Sequence, residues 1–169
     1  MKRLFLSVLF LAISTVSAFA NDVTNIANYK NWKVYKTQDG TLYAVSYAIS
    51  KSGNYSKRDE PYLMISNFDN AAELMVYYGY SHKKDKLSEV VVNMNKDGSE
   101  VKKFMFQPIG NKSWLRTSKE DSELADAMKK GAKITVYGES HKSTNSIDVY
   151  ALDGFADAYN TILAYAVKS

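Results

Sequence analysis

AMKKGAKITVYGESHKSTNSIDVYALDGF, residues 127–155, reads as the end of one helix, a β-hairpin and the start of a second helix. Gly131 follows Ala127-Met128-Lys129-Lys130, at the place where a left-handed C′ residue closes a helix and glycine carries no Cβ penalty. The two lysines suit the negative end of the helix dipole. Lys133-Ile134-Thr135-Val136-Tyr137 is rich in β-branched and aromatic side chains, with Ile134 and Val136 on one face. Residues 139–145 are polar and read as a turn. Residues 146–152 alternate again, with Ile147, Val149 and Ala151 on one face and Asp148, Tyr150 and Leu152 on the other.

Outward from this hairpin, Asp153 is placed to cap the second helix. Phe155, Ala158, Tyr159, Ile162, Leu163 and Ala166 then fall on one apolar stripe, which should bury against a sheet. On the N-terminal side, Thr117-Ser118-Lys119-Glu120 has the form of a capping box. Leu124, Ala127 and Met128 lie on one face of the helix it opens.

The preceding chain reads as short strands and turns. Residues 21–30 are polar and are expected to form a loose arm. Trp32-Lys33-Val34-Tyr35 is the first expected strand, Asp39-Gly40 a hairpin turn and residues 42–49 the returning strand. Residues 50–60 read as a polar loop. Pro61 opens the apolar run Tyr62-Leu63-Met64-Ile65, and residues 73–80 form another strand in which Gly79 marks a bulge or a close backbone approach. Residues 89–94 and 101–107 pair around Lys96-Asp97-Gly98. Residues 108–112 read as a loop and Trp114 as a core or loop anchor. The expected fold is mainly β, an antiparallel sandwich or barrel-like domain of at least seven strands with two helices in the C-terminal third.

The 169 residues suffice for one domain. Residues 1–20 carry a charged start at Lys2-Arg3, an apolar run at 4–13 and small residues at Ala18 and Ala20. That three-part pattern is a secretory signal peptide, too short for a comfortable membrane span. A single β-rich domain is expected over 21–169. Loss of Lys2 and Arg3 leaves 20 basic residues against 18 acidic, a net charge of +2 instead of +4. So small an excess gives no reason to expect nucleic acid as a partner. With no cysteine, the chain has no disulfides and no thiolate chemistry.

Catalytic signatures are sparse. His82 and His141 both fall in expected turns, without a second histidine at ligand spacing, so no metal or other cofactor is expected. Ser140, His141 and Asp148 contain the residue types of a triad, but geometry defines a triad. Tyr77, Tyr78 and Tyr80 would suit a stacking platform for sugars or peptides, and equally well a plain strand. Arg58, Lys83, Lys84, His141, Lys142 and Asp148 are the candidate ligand- or partner-binding residues. Their charges would converge if the 81–86 loop and the 139–148 turn meet Arg58.

The chain resembles the invasion-associated locus B family of bacterial envelope proteins. The resemblance rests on Trp32-Lys33-Val34, Leu42-Tyr43-Ala44-Val45-Ser46, Arg58 with Pro61-Tyr62-Leu63-Met64-Ile65, and Val76 through Gly79-Tyr80. It continues with Trp114, Ala127 through Gly131, Val136-Tyr137-Gly138-Glu139-Ser140, and Thr144 through Phe155. Leu42 stands where many relatives have cysteine, so no disulfide of theirs carries over. His141-Lys142-Ser143 replaces an arginine-glycine pair before threonine, and Lys142 keeps the positive charge. The resemblance implies an exported α-proteobacterial protein of the periplasm or outer envelope, with no established catalytic mechanism. The first functional reading is a non-enzymatic binding module for an envelope protein or an acidic ligand. The alternatives are a surface-exposed or secreted factor in contact with host cells, and a small envelope hydrolase using Asp148 or His141.

Overall fold

A computed structural model describes residues 23–68, 71–95, 97 and 99–166. The expected signal peptide, Lys96 and Gly98 of the expected turn, and the side chain of Ala166 lie outside the described residues.

Eleven antiparallel strands join into one sheet that curls into a half-barrel. At one end β1 (Thr24–Tyr29), β2 (Trp32–Lys36) and β3 (Leu42–Tyr47) form a meander. The Asp39-Gly40 turn behaves as expected, with the Thr37 N–H donating to the Thr41 carbonyl at 3.0 Å and Gly40 at φ +89°. β3 then pairs with β5 (Tyr62–Phe68), β5 with β6 (Ala71–Tyr77), and β6 with the short β9 (Lys112–Trp114).

β8 (Val101–Ile109) turns the corner of the sheet. Its residues 107–109 pair with β9, while residues 101–106 pair with β7 (Ser88–Asn93). Pro108 sits in the section where the strand changes partner. β7 pairs with β10 (Lys133–Glu139), and β10 pairs along its whole length with β11 (Asn145–Ala151). The far edge is β4 (Ser50–Gly53), paired to β11. Only two residues separate β3 from β4, and the Ile49 N–H donates to the Val149 carbonyl at 2.8 Å. The chain therefore crosses from one end of the sheet to the other in a single step, which closes the curl.

Two helices fill the concave side. α1 (Ser118–Lys130) packs on β6 and β8, and α2 (Phe155–Ala166) packs on β1, β2, β3 and β5. The α2 stripe is as read: Phe155, Ala158, Tyr159 and Ile162 are buried. Phe155 meets the edge of Trp32 at 5.1 Å between ring centroids, and the Trp32 indole donates to the Ala151 carbonyl at 3.3 Å. On α1, Leu124, Ala127 and Met128 are buried with Val76, Val92, Ile134 and Val136 in one apolar core. At its start the Thr117 hydroxyl accepts the Glu120 N–H at 3.2 Å, and the Glu120 carboxylate returns to the Arg116 N–H at 3.1 Å. Asp121, in the first turn of α1, is buried and accepts the Leu74 N–H at 3.0 Å, so it ties α1 to β6.

Several expectations are corrected. Residues 24–29 form the edge strand β1 instead of a loose arm, because the backbone of β2 supplies the hydrogen bonds that these polar side chains do not announce. Within the expected 50–60 loop, Ser50–Gly53 is strand β4 for the same reason. The expected 108–112 loop is reduced to a tight turn at Gly110, φ +66°, between β8 and β9. Trp114 is half-buried on β9 and lies outside the apolar core, where Trp32 is the tryptophan. Asp153 does not occupy the α2 cap. The Gly154 carbonyl accepts the first helical bond from Ala158, and Gly154 holds φ +90° against the Tyr29 carbonyl, where a Cβ would have no room.

Gly131 is corrected in its reason. It is extended, φ −77° and ψ 162°, a conformation open to any residue. Glycine is needed because a Cβ would lie 2.7 Å from Val92 Cγ1 and 2.9 Å from Leu152 Cδ1. Gly131→Ala is therefore expected to lower stability by about 1–3 kcal/mol through overpacking. Urea denaturation of the variant checks this. An unchanged or higher midpoint would show that the apolar neighbours yield without cost.

Candidate functional site

The alternation of β11 is as read, but the face turned inward is the polar one. Ser146, Asp148 and Tyr150 are buried, whereas Ile147 is 39% exposed. Asp148 is opposite Val136 of β10 and Lys51 of β4, so sheet backbone flanks it on both sides. A carboxylate there requires a partner. Arg58 supplies it from the 54–60 segment between β4 and β5. One guanidinium nitrogen donates to Asp148 Oδ2 at 2.9 Å and the other to Oδ1. The same group donates to the Tyr78 carbonyl at 3.3 Å and the Tyr55 hydroxyl at 2.9 Å. Its plane lies over the Tyr55 ring, 4.1 Å from the centroid. The Arg58 and Asp148 side chains are 3% and 1% exposed. Burial opposes the charge on each of them. It pushes the Asp148 carboxyl up against the pull of Arg58, while the bonds to Asp148 hold the Arg58 guanidinium above its ordinary value.

The 81–86 loop is fastened beside this pair. His82 is 6% exposed, so it is not the turn-surface histidine that the sequence suggests. Its Nε2 accepts the Glu139 N–H at 3.3 Å and its Nδ1 lies 3.1 Å from the Lys83 carbonyl. Those neighbours allow one tautomer, with the proton on Nδ1. Lys83 Nζ donates to Glu139 at 2.7 Å and to Ser143 Oγ at 3.2 Å, and Lys86 bonds the other Glu139 oxygen. The Lys83 and Lys86 bonds bring the Glu139 carboxyl down to about 2.

A groove of about 280 Å³ opens between the 54–57 loop and the 140–144 turn. Lys57 reaches it from one wall, His141 and Lys142 from the other. Of the residues chosen from sequence, His141 and Lys142 line this groove. Arg58 and Asp148 are sealed beneath the loop, Lys83 is held by Glu139, and Lys84 is exposed and does not line the groove. The 81–86 loop and the 139–148 turn do meet, through the His82–Ser140 bridge, but their charges do not converge on one point. Lys57 was missed. It sits in a stretch that reads only as a polar loop, and the pairing that brings that stretch against the 140–144 turn, Asn145 N–H to Asn54 Oδ1 at 3.0 Å, spans 91 residues.

Two further arrangements are corrected. Tyr77 ends β6 half-buried and Tyr78, the next residue, is fully buried, so Tyr77, Tyr78 and Tyr80 make no common platform. Tyr77 stacks instead on Tyr62 at 4.7 Å, a cross-strand pair in which each ring face is covered by the other. The three triad types also have other partners. Ser140 Oγ accepts the Thr144 N–H at 3.1 Å, His141 Nδ1 lies 3.3 Å from the Ser81 carbonyl, and Asp148 holds Arg58. Among the described residues, no three of His, Asp and Glu gather at metal-binding distance, and no helix is long and apolar enough to cross a membrane.

No protein-family model and no curated protein matches the chain. Among solved structures, the chain is similar to the crystal structure of invasion associated protein B from Bartonella henselae. The TM-score is 0.58 at 11% identity, over 82% of this chain and 95% of that one. At that identity the likeness concerns the fold.

Two outcomes follow from the buried groups. Asp148→Asn leaves the guanidinium buried without its counter-ion and is expected to cost about 3–5 kcal/mol, while the Arg58→Met/Asp148→Leu double variant recovers most of it. A loss below about 1 kcal/mol for Asp148→Asn in urea denaturation would contradict the dry, paired geometry. Burial holds the His82 imidazole below its ordinary 6.5, so the folded chain releases a proton that the unfolded chain keeps. The stability due to His82 is therefore complete above pH 6.5 and lost as the pH falls toward the lowered value. The thermal midpoint should drop over that interval, and the drop should vanish in His82→Gln. A drop that persists in the variant assigns the titration elsewhere.

Proposed function

We propose that the protein is an exported component of the bacterial cell envelope, related to the invasion-associated locus B proteins, and that it works by binding an acidic ligand or partner. The three-part pattern of residues 1–20 supports export. The fold likeness to an invasion associated protein B supports the relationship. The observation that carries the binding reading is the division of charge around the groove. Arg58, Asp148, His82 and Glu139 are each held by partners within the fold, whereas Lys57, His141 and Lys142 face one exposed groove together. Groups that are fixed by buried hydrogen bonds serve structure. Basic groups gathered at an open surface favour an acidic partner through their combined field.

The periplasm is the compartment this reading favours. External protease added to intact cells, followed by release of the soluble periplasm, tests it. Protection from protease and recovery of a form shortened by about 20 residues in the periplasmic fraction are expected. Digestion on intact cells would move the protein to the surface and favour external contact. A full-length form confined to the cytoplasm would end the proposal.

A further inference from the structure

The geometry points to the groove between the 54–57 loop and the 140–144 turn as a site for an acidic saccharide, a sugar unit bearing a carboxylate or a phosphate. This deepens the binding reading above and rests on it. The first observation is sign. Lys57, His141 and Lys142 line the groove with no aspartate or glutamate, whereas the neighbouring cavity around Arg58, to which Lys57 also contributes, includes Asp59 and Glu60, with Lys51 paired to Glu60 at 2.7 Å. Among the described residues, the ammonium groups of Lys57 and Lys142 have no carboxylate partner, so their charge is available to a ligand.

The second observation is a hydroxyl at the groove whose accepting side is occupied within the fold. Ser140 is 6% exposed and lines the groove. Its Oγ accepts the Lys142 N–H at 3.3 Å and the Thr144 N–H at 3.1 Å. The acceptor capacity of the hydroxyl is filled, and no described residue accepts its hydrogen. An O–H left to donate into a groove that two lysines also line matches a group that accepts, such as an ionised carboxylate or phosphate.

The third observation is the rest of the wall. Asn54, Ser56 and Thr144 supply amide and hydroxyl groups, and Tyr55 and Tyr80 supply rings. No valine, leucine, isoleucine or methionine lines the groove. An acidic peptide with apolar neighbours would find no apolar pocket here. A sugar acid presents hydroxyls and C–H faces around its charge, and these match hydroxyl, amide and ring surfaces. The 280 Å³ volume is near the lower end of small-ligand sites, enough for a short unit with the remainder of a chain in solvent.

The test is a titration of the purified, ¹⁵N-labelled protein, followed by amide chemical shifts. The probes are tetragalacturonate, glucose 6-phosphate, a neutral galactose tetramer and a tetraglutamate peptide. Tetragalacturonate or glucose 6-phosphate should shift the amides of Lys57 and residues 140–144 saturably, and which of the two does so identifies the charged group. Both lysines are exposed, so Lys57→Gln/Lys142→Gln should keep a native amide spectrum while binding roughly ten-fold more weakly. Equal binding of the neutral tetramer overturns the inference, as do unchanged affinities in the double variant. If only tetraglutamate moves these amides, the saccharide class fails and the acidic-ligand reading stands. If no anion moves them, both fail.

Discussion

One buried ion pair ties the loop over the opening of the half-barrel to the sheet. Arg58 and Asp148 are 90 residues apart in sequence, and their bond fixes where the segment between β4 and β5 crosses the opening of the half-barrel. Removing two charges from water costs several kcal/mol for each ion, and their attraction returns this only when geometry and additional hydrogen bonds are good. Here the carboxylate is gripped at both oxygens, and the guanidinium also reaches the Tyr78 carbonyl and the Tyr55 hydroxyl. An apolar pair of similar volume would fill the space with comparable stability. It would not select one position for the loop, because apolar contact has no direction.

Other contacts hold the same loop at intervals. Asn54 accepts the Asn145 N–H, Asp59 donates its N–H to the Gly79 carbonyl at 3.0 Å, and Glu60 takes the Lys51 ammonium. Gly79, read from sequence as a bulge or a close approach, has φ +74° with the Asp59 backbone where a Cβ would stand. The opposite wall is equally constrained, by the His82–Ser140 bridge and by Lys83 bonded to both Glu139 and Ser143. A groove whose two walls are fixed before a ligand arrives loses little conformational freedom on binding. The polar contents of the interior thus act on the surface: they fix the backbone of the two walls that carry Lys57 and Lys142.

Much of the architecture was legible because it is local. The Thr117 cap, the Asp39-Gly40 turn, the α2 stripe and the β10–β11 hairpin are each determined by residues within about a dozen positions. The strands β1 and β4 were not legible, since TNIANY and SKSG form strands only through the neighbours that pair with them. Alternation in β11 showed which side chains share a face but not which face turns inward. Ile147, Val149 and Ala151 are the more apolar set, yet Ser146, Asp148 and Tyr150 are inside because Arg58 and Tyr80 come from elsewhere to meet them. Arg58 and Asp148, candidate binding residues in the sequence, form a buried pair. Lys57, the cation of that segment that lines the groove, lies one residue away.

The same separation explains how a fold can persist at 11% identity. The half-barrel needs an apolar concave face, a few glycines at close approaches and a loop closed over the opening. None of these requires particular side chains at residues 141–143, which point away from the core as an exposed turn tip with Ser143 at φ +60°. That tip forms a wall of the groove. Substitutions there alter charge and hydrogen bonding at the surface while leaving the buried pair and the sheet register untouched. A likeness in fold therefore carries the scaffold from one protein to another, and the occupant of the groove must be argued from Lys57, Ser140, His141 and Lys142 of this chain.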